Sequence, residues 1–248
     1  MHARSVLGGF VAAGALALTP GAALADATDT TVKQLNKAVA AEGTAPAAPN
    51  PDVSIPSNGT GLVTLGGPEI SGEVVIDRPE VTVDLPARGA AEQTGSTAVF
   101  NSTVPGADIA VQPTAKGVRA LVAIDSAEAS ERYPVTLRGD VARLESQADG
   151  SVRAYDADGE LIATIAPAWA RDRNGRDVPT FYEIEGTTLV QVVKHRGGGF
   201  AYGITADPSI EAHWYWPHMI RVWFSRAETE RIYRNIYGPS LAAGAANM

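Results

Sequence analysis

The chain has 248 residues, a formal net charge of −8 at neutral pH and no cysteine. This length corresponds to one or two domains. An acidic chain lacks the basic stripe that phosphate contacts require, which argues against a nucleic-acid partner. Without cysteine the protein has no disulfide, no thiol chemistry and no cysteine metal site, so packing alone must stabilise the fold.

Residues 1–25 have the parts of a secretory signal peptide. Arg4 precedes the uncharged apolar run VLGGFVAAGALAL, and Ala23-Leu24-Ala25 supplies the small residues of a cleavage site. The Thr19-Pro20-Gly21 sequence interrupts the apolar run before it reaches the roughly 20 residues that a membrane-spanning helix needs. We therefore expect a secreted, extracellular protein that is cleaved before Asp26.

Residues 26–58 are predicted to be a flexible lead-in. The first part, DATDTTVKQLNKAVAAEG, has Val32, Leu35 and Val39 near helical spacing and predicts one amphipathic helix. Such a helix is marginal when nothing packs against it. Four prolines lie within the eleven residues 46–56. Proline at this density disfavours both helix and sheet, so an extended linker is expected.

From residue 59 to 207 the apolar pattern has a period of two. The segment KGVRALVAI alternates two sets, Val118, Ala120, Val122 and Ile124 on one face and Gly117, Arg119, Leu121 and Ala123 on the other. Ten further segments have strand-like composition: SGEVVI, EVTVDL, DIAVQ, YPVTLR, VARLESQ, SVRAYD, ELIATI, TFYEIEG, TTLVQVVK and FAYGIT. This pattern predicts a mainly β domain.

Short turn sequences separate several of these segments. They are Asp149-Gly150, Asp158-Gly159, Asn174-Gly175 and Glu185-Gly186. Glycine accepts the positive φ that tight hairpins require, so the turns favour antiparallel connections. The predicted fold is an antiparallel β-sandwich of about ten strands. Because Pro208 cannot donate to a sheet ladder, we place the end of this domain at residue 207.

Residues 208–248 are predicted to form a short strand-helix unit. MIRVWF alternates like a strand, and SRAETERIYRNIYG follows as a helix with Ser225 and Glu228 in a capping box. Its apolar stripe consists of Thr229, Ile232, Tyr233, Ile236 and Tyr237. The final PSLAAGAANM begins an apolar helix that stops at once. Either this end docks on the protein, or the natural product continues past Met248.

The same unit concentrates the aromatic residues. Three of the four tryptophans lie in 213–237. The candidate binding residues are Trp214, Tyr215, Trp216, Arg221, Trp223, Phe224, Tyr233 and Tyr237. One explanation is packing of these side chains against each other or against the β domain. The alternatives are contact with a membrane interface through 213–248, or a platform for a carbohydrate or another ligand.

The polar residues predict no catalytic or metal site and no cofactor. His213 and His218 are five residues apart around Pro217, which fits no common zinc motif. His195 adjoins Gly197–Gly199, a run interpreted as a hairpin loop. No GxSxG elbow is present. DADGE (156–160) lacks the full spacing of a calcium loop and is interpreted as a hairpin with solvated acids. In RDRNGRD (171–177), Asp172, Asn174 and Asp177 are interpreted as turn formers.

A resemblance extends over residues 95–210. In TVPGADIAVQPTAKGVRALVAI, YDADGELIATIAPAWARDRNGRDV and FAYGITADPSI, the chain resembles uncharacterised secreted proteins of high-GC Gram-positive bacteria. Similar β-rich modules open large wall-associated, Rhs-like proteins. The resemblance implies a presentation module ahead of a C-terminal effector or interaction segment, and it transfers no catalytic residue.

The expected function is therefore that of a secreted, non-enzymatic presentation or interaction protein. It would act at a cell surface or on another protein through its C-terminal segment. Its partner, whether a protein, a carbohydrate or a lipid surface, is not identified by the sequence. The first alternative is a membrane-active or toxin-like effector whose active part is the C-terminal segment. The second is a hydrolase of wall polymers, for which His195, His213 and His218 are the residues to test.

Overall fold

The structure is a computed structural model. It describes residues 20–44, 47–48, 50, 53–55, 61–66, 69–71, 74–76, 79–213 and 220–222. The described elements are the helix α1 (Pro20–Ala41) and nineteen strands. The strands are β1 (Val53–Ser54), β2 (Leu62–Gly66), β3 (Glu69–Ser71), β4 (Val74–Ile76), β5 (Glu80–Asp84), β6 (Glu92–Thr94), β7 (Thr97–Val104), β8 (Ala107–Thr114), β9 (Gly117–Ile124), β10 (Arg132–Gly139), β11 (Arg143–Ser146), β12 (Val152–Tyr155), β13 (Leu161–Ile165), β14 (Trp169–Arg171), β15 (Thr180–Glu185), β16 (Thr188–Val193), β17 (Ile204–Asp207), β18 (Ser209–Ala212) and β19 (Ile220–Val222).

Two antiparallel sheets form a sandwich-like arrangement, which confirms the predicted mainly β class. The six-stranded sheet has the order β1-β2-β5-β10-β16-β15. The ten-stranded sheet contains β11-β12-β13-β18-β9-β8-β7-β6, and β17 joins it by pairing with β9 and β14. One core cluster joins both sheets, and it includes Val83, Leu137 and Leu189 from the first sheet and Ile109 and Ile165 from the second.

Strand β9 has the predicted alternation, but both of its faces are covered. Its residues Val118, Ala120, Val122 and Ile124 belong to the core between the sheets. Leu121 and Ala123 belong to a second cluster on the opposite face. All eight residues of the strand are buried.

The helix α1 provides the cover for this second face. Val32, Leu35 and Val39 pack on a cluster that includes Val99 and Leu121 of the ten-stranded sheet. The predicted amphipathic helix is thus confirmed, but it does not lie in a free, flexible lead-in. Its apolar stripe has a complementary sheet face, and this contact stabilises a helix that would be marginal alone. No helix in the described part of the chain has both the length and the hydropathy needed to cross a bilayer.

The sheet also continues past the domain boundary predicted at residue 207. Strands β17 and β18 pair with the two ends of β9, and Pro208 lies between them. The Pro208 carbonyl accepts a hydrogen bond from the Ala120 amide at 3.0 Å. Proline therefore interrupts the ladder without ending the domain, because its carbonyl still takes part in the pairing.

The predicted hairpin turns are confirmed in their backbone conformation. Gly150, Gly159, Gly175 and Gly186 have φ values of 84°, 86°, 85° and 66°. Positive φ is strained for other L residues, which explains glycine at these turns. Each turn reverses the chain between antiparallel segments of the sandwich.

Candidate functional site

The candidate binding residues of the C-terminal segment lie mostly outside the described residues. Of the eight, only Arg221 is described, in β19, where its register partner is Val75 of β4. The other seven are Trp214, Tyr215, Trp216, Trp223, Phe224, Tyr233 and Tyr237. The predicted helix after Ser225 also lies outside the described residues. A strand within MIRVWF is confirmed for Ile220–Val222.

The chain leaves the ten-stranded sheet at His213. Ala212, the last residue of β18, pairs with Ala163 of β13. The His213 amide then donates to the Ile162 carbonyl at 2.9 Å. Its Nε2 lies 2.7 Å from Thr164 Oγ1. The C-terminal segment therefore starts from a fixed position at this sheet.

A small third sheet lies at the other described part of this segment. It has the order β19-β4-β3 and is antiparallel throughout. β3 and β4 form an excursion between β2 and β5, which are neighbours in the six-stranded sheet. Sequence reasoning missed this pairing, because Val75 and Arg221 are far apart in the chain and nothing local connects them.

A buried charged network lies on the helix-covered side of the ten-stranded sheet. Arg119 and Asp207 are 2% and 1% exposed, and Arg119 Nε lies 3.6 Å from Asp207 Oδ2. The same carboxyl oxygen accepts hydrogen bonds from Ser209 Oγ at 2.7 Å and Trp169 Nε1 at 2.8 Å. Asp207 Oδ1 is buried without a hydrogen-bond partner among the described residues.

The network reaches the helix through Gln112. Arg119 Nη1 donates to Gln112 Oε1 at 3.2 Å. Gln112 Nε2 donates to Asn36 Oδ1 of α1 at 2.8 Å and to Thr97 Oγ1 at 3.0 Å. Arg119 Nε also donates to Ser209 Oγ at 3.2 Å, so a hydrogen-bonded path connects Asp207 to α1 through Ser209, Arg119 and Gln112.

Burial raises the pKa of Asp207 to about 7. The Ser209 hydroxyl, the Arg119 charge and the Trp169 indole favour the ionised form and lower this pKa, whereas Glu42 raises it. Desolvation exceeds the three favourable contacts because the carboxyl is removed from water on every side. A carboxyl in this condition is a candidate for a role beyond packing.

Sequence reasoning placed Arg119 on the correct face but did not give it a role. Both faces of KGVRALVAI are rich in apolar residues, so a charged residue within it requires a buried partner. The position of Arg119 within an apolar strand was therefore the sequence signal for a buried ion pair. Asp207 was interpreted only as the residue before Pro208, and its 88-residue separation from Arg119 left no local pattern to connect the two.

His195 occupies a buried structural position and is 1% exposed. Its Nε2 lies 3.2 Å from the Ser130 carbonyl and its Nδ1 lies 3.3 Å from the Tyr202 hydroxyl. The carbonyl can only accept, so Nε2 donates to it. Arg196 donates to the carbonyls of Ala127, Glu128 and Ala129. The loop that follows β16 is therefore hydrogen-bonded to the loop that precedes β10.

The acids of the two predicted turns bind backbone amides. Asp156 Oδ1 accepts hydrogen bonds from the amides of Asp158 and Glu160 at 3.0 and 2.8 Å. Asp172 accepts from Asn174, Arg176 and Ala201. Burial alone would raise the pKa of Asp172, but these amides and the Arg176 charge lower it below its ordinary value. The hairpin predicted at 156–160 and the turn-forming role of Asp172 are therefore confirmed.

A cavity of about 10 Å³ lies between the two sheets. Tyr133, Gln191 and Pro208 are among the residues that line it. This volume corresponds to about one water molecule and is too small for an organic ligand. Burial raises the pKa of the Tyr133 phenol, with a smaller lowering from Arg196 and a smaller raising from Glu131. Over the described residues, no group of three His, Asp or Glu side chains is placed to hold a metal ion.

Comparison of the chain with protein-family models, with curated proteins and with solved structures found no match. Support for the candidate sites therefore comes from the residues of this chain alone.

Proposed function

We propose that the protein is a secreted interaction protein whose β-sandwich presents the C-terminal segment, residues 213–248, at a cell surface or to another protein. One observation carries this proposal. His213 is held beside β13, because its backbone amide donates a hydrogen bond to the Ile162 carbonyl and its ring contacts Thr164. An aromatic-rich sequence follows a fixed point on a rigid support, as presentation of a binding segment requires.

The composition of the segment supports the same role. It holds Trp214, Trp216 and Trp223, together with Arg221. Tryptophan and arginine are enriched among the residues that contribute most to binding at protein interfaces. The resemblance of residues 95–210 to exported presentation modules agrees with this division of roles.

Three polar groups in the loops of the sandwich have structural explanations. His195, Asp172 and Arg196 each bond to neighbouring loops of the same domain. These contacts stabilise the support, and they leave the C-terminal segment as the better candidate for partner recognition.

Export before Asp26 is part of the proposal. Among the described side chains of α1, the first buried one is Thr28, which accepts a hydrogen bond from Asn101 at 2.9 Å. Cleavage before Asp26 would keep this contact and the three buried apolar residues that follow it. The intact mass of the secreted protein tests the cleavage point directly.

Binding is tested by co-sedimentation with intact cells of the producing organism. The variant carries Trp214→Ala, Trp216→Ala and Trp223→Ala in the full chain. We expect its affinity for cells to fall at least about tenfold, because buried tryptophans dominate interface energetics. The matched control is Phe181→Ala, an aromatic residue of the sandwich edge that is 46% exposed and should leave binding unchanged.

Equal binding by the tryptophan variant and the wild type would refute the proposal. Leakage of anionic vesicles caused by the full chain would instead favour the membrane-active alternative. Release of soluble fragments from wall polymers, lost on substitution of His195, His213 or His218, would favour the hydrolase alternative.

A further inference from the structure

The contact between α1 and the sheet is partly apolar and partly polar. Three apolar side chains of the helix are buried: Val32, Leu35 and Val39. Polar contacts lie along the helix, beginning among its described side chains with Thr28, which accepts a hydrogen bond from Asn101. Asn36 accepts from Gln112, and Glu42 forms an ion pair with Arg171. A helix with so few buried apolar side chains depends on these polar contacts to stay docked.

Excluding water from the sheet surface beneath α1 costs free energy. This surface includes the charged pair Arg119–Asp207 and Asp207 Oδ1, which has no hydrogen-bond partner in the described part of the chain. A buried charge with incomplete hydrogen bonding loses solvation that it would regain in water. Detachment of α1 would expose Val32, Leu35 and Val39, but it would also rehydrate this network. The second effect offsets part of the first.

Trp169 connects Asp207 to the apolar part of the contact. Its indole nitrogen donates to the Asp207 carboxyl, and its ring packs against the cluster formed by α1 and the sheet. A change of charge on Asp207 therefore acts on a side chain that packs against this shared cluster.

We propose that α1 is a pH-sensitive cover, held on the ten-stranded sheet when Asp207 is protonated and loosened when Asp207 ionises. The device is local, because Asp207 faces the helix-covered side and the sandwich core lies on the other face of the same sheet. Acidic conditions favour the closed cover, and rising pH increases the fraction of molecules in which it is open.

The direction follows from the two states of the carboxyl. Under the closed cover, burial raises its pKa to about 7, whereas an open cover returns it towards the ordinary value of 3.8. Between these values the closed state binds more protons than the open state. Raising the pH therefore favours opening, and acidification favours closure.

Other titratable groups face Asp207 from the surrounding elements. Arg119 of β9 stabilises the ionised form, and Glu42 after α1 opposes it. The Tyr182 hydroxyl of β15 donates to the Asp207 carbonyl at 3.4 Å. Burial, and then the Asp207 charge, raise the pKa of Tyr182 well above its ordinary value. Tyr182 therefore stays neutral throughout the window in which Asp207 titrates.

The sequence has no cysteine, so single introduced cysteines report opening without background. Val39→Cys places a thiol on the buried face of α1, and Ala40→Cys places one on its exposed face. The measured quantity is the ratio of their modification rates in the full chain. From about pH 5 to about pH 8 we expect this ratio to rise at least about tenfold. Val178→Cys, in the core between the sheets, should stay protected throughout.

Asp207→Asn supplies the matched control, because the amide is neutral at every pH and can still accept from Ser209 and Trp169. In this background the ratio should be flat with pH. A flat ratio in the otherwise natural chain would overturn the proposal without any use of the Asn variant. So would an equal rise in the Asn variant, or a parallel loss of protection at Val178→Cys, which would indicate global unfolding.

Discussion

The two sheets differ in what covers their outer faces. The ten-stranded sheet is covered by α1, and all eight residues of β9 are buried. The outer face of the six-stranded sheet has no helix over it among the described residues, and exposed residues alternate with buried ones along the first half of β10. Strands of both sheets alternate between inward-facing and outward-facing residues. In these two strands, the outward-facing residues are buried only where α1 covers the sheet.

The charges on the two outer faces differ in the same way. Under the helix, Arg119 and Asp207 are almost completely buried. On the open face, Arg132 pairs with Glu183 and Glu185 at 2.6 and 2.8 Å, and about half of its side chain is exposed. Buried pairs are costly to break, whereas exposed pairs contribute little. The following substitutions test this contrast.

The largest effect is expected from Arg119→Met. It leaves Asp207 buried without its positive partner and should lower the free energy of unfolding by about 3–5 kcal/mol. Arg132→Met on the open face is the control and should change little, because water solvates the acids that it leaves. Urea unfolding of both variants at about pH 8 checks this. Similar losses from the two variants would contradict the contrast.

A second pair of substitutions compares leucines on the two outer faces. Leu121→Ala beneath α1 should cost about 2–5 kcal/mol, because Leu121 is fully buried and the rigid cover leaves a cavity. Leu62→Ala on the open face should cost under about 1 kcal/mol, because this side chain is only half-buried. Thermal unfolding of both variants measures the difference, and equal costs would mean that α1 does not seal the sheet.

Two buried acids should give opposite pH signatures. The raised pKa of Asp207 means that its contribution is complete below its ordinary pKa and is lost as the pH rises through about 7, by on the order of 4 kcal/mol. The lowered pKa of Asp172 means that its contribution is present at neutral pH and is lost on acidification. The stability difference between wild type and each Asn variant, followed against pH, measures both slopes. Slopes of the same sign would refute the assignment.

The smallest effect is expected for a pair of threonines. Thr97→Val beneath α1 removes a hydroxyl that accepts from Gln112 and should cost about 1–2 kcal/mol. Thr136→Val on the open face removes a 2.9 Å contact with Thr188 and should cost less than about 1 kcal/mol, because water replaces the partner. Chemical unfolding measures the loss of stability in each variant. Equal losses would mean that burial of the hydroxyl does not affect the free energy lost with the hydrogen bond.

Much of the sandwich was predictable because its information is local. Alternation predicted both faces of β9, and Asp-Gly and Asn-Gly sequences predicted the turns. Strand β7 was missed because Asn101-Ser-Thr interrupts its apolar pattern, and β18 was missed because Pro208 precedes it. The docking of α1 was not predictable from its own sequence, since it depends on the opposite face of β9.

The candidate sites were less predictable, for a related reason. The aromatic segment was found from its composition, but its pairing with the β3–β4 excursion depends on long-range register. The Asp207 network joins residues from β8, β9, β14, β18 and α1. No spacing rule connects them, because only the strand order of the sheet brings them together.

The central claim is that a helix-covered sandwich, residues 26–213, folds without the C-terminal segment that it presents. Hydrogen exchange on Asp26–His213 and on Asp26–Met248 tests it most directly. The account predicts equal protection of β8, β9, β16 and β18 in both chains, because their pairing partners all precede His213. Loss of protection in β9 and β18 of the shorter chain would contradict it, since the segment would then be part of the fold that it is proposed to extend.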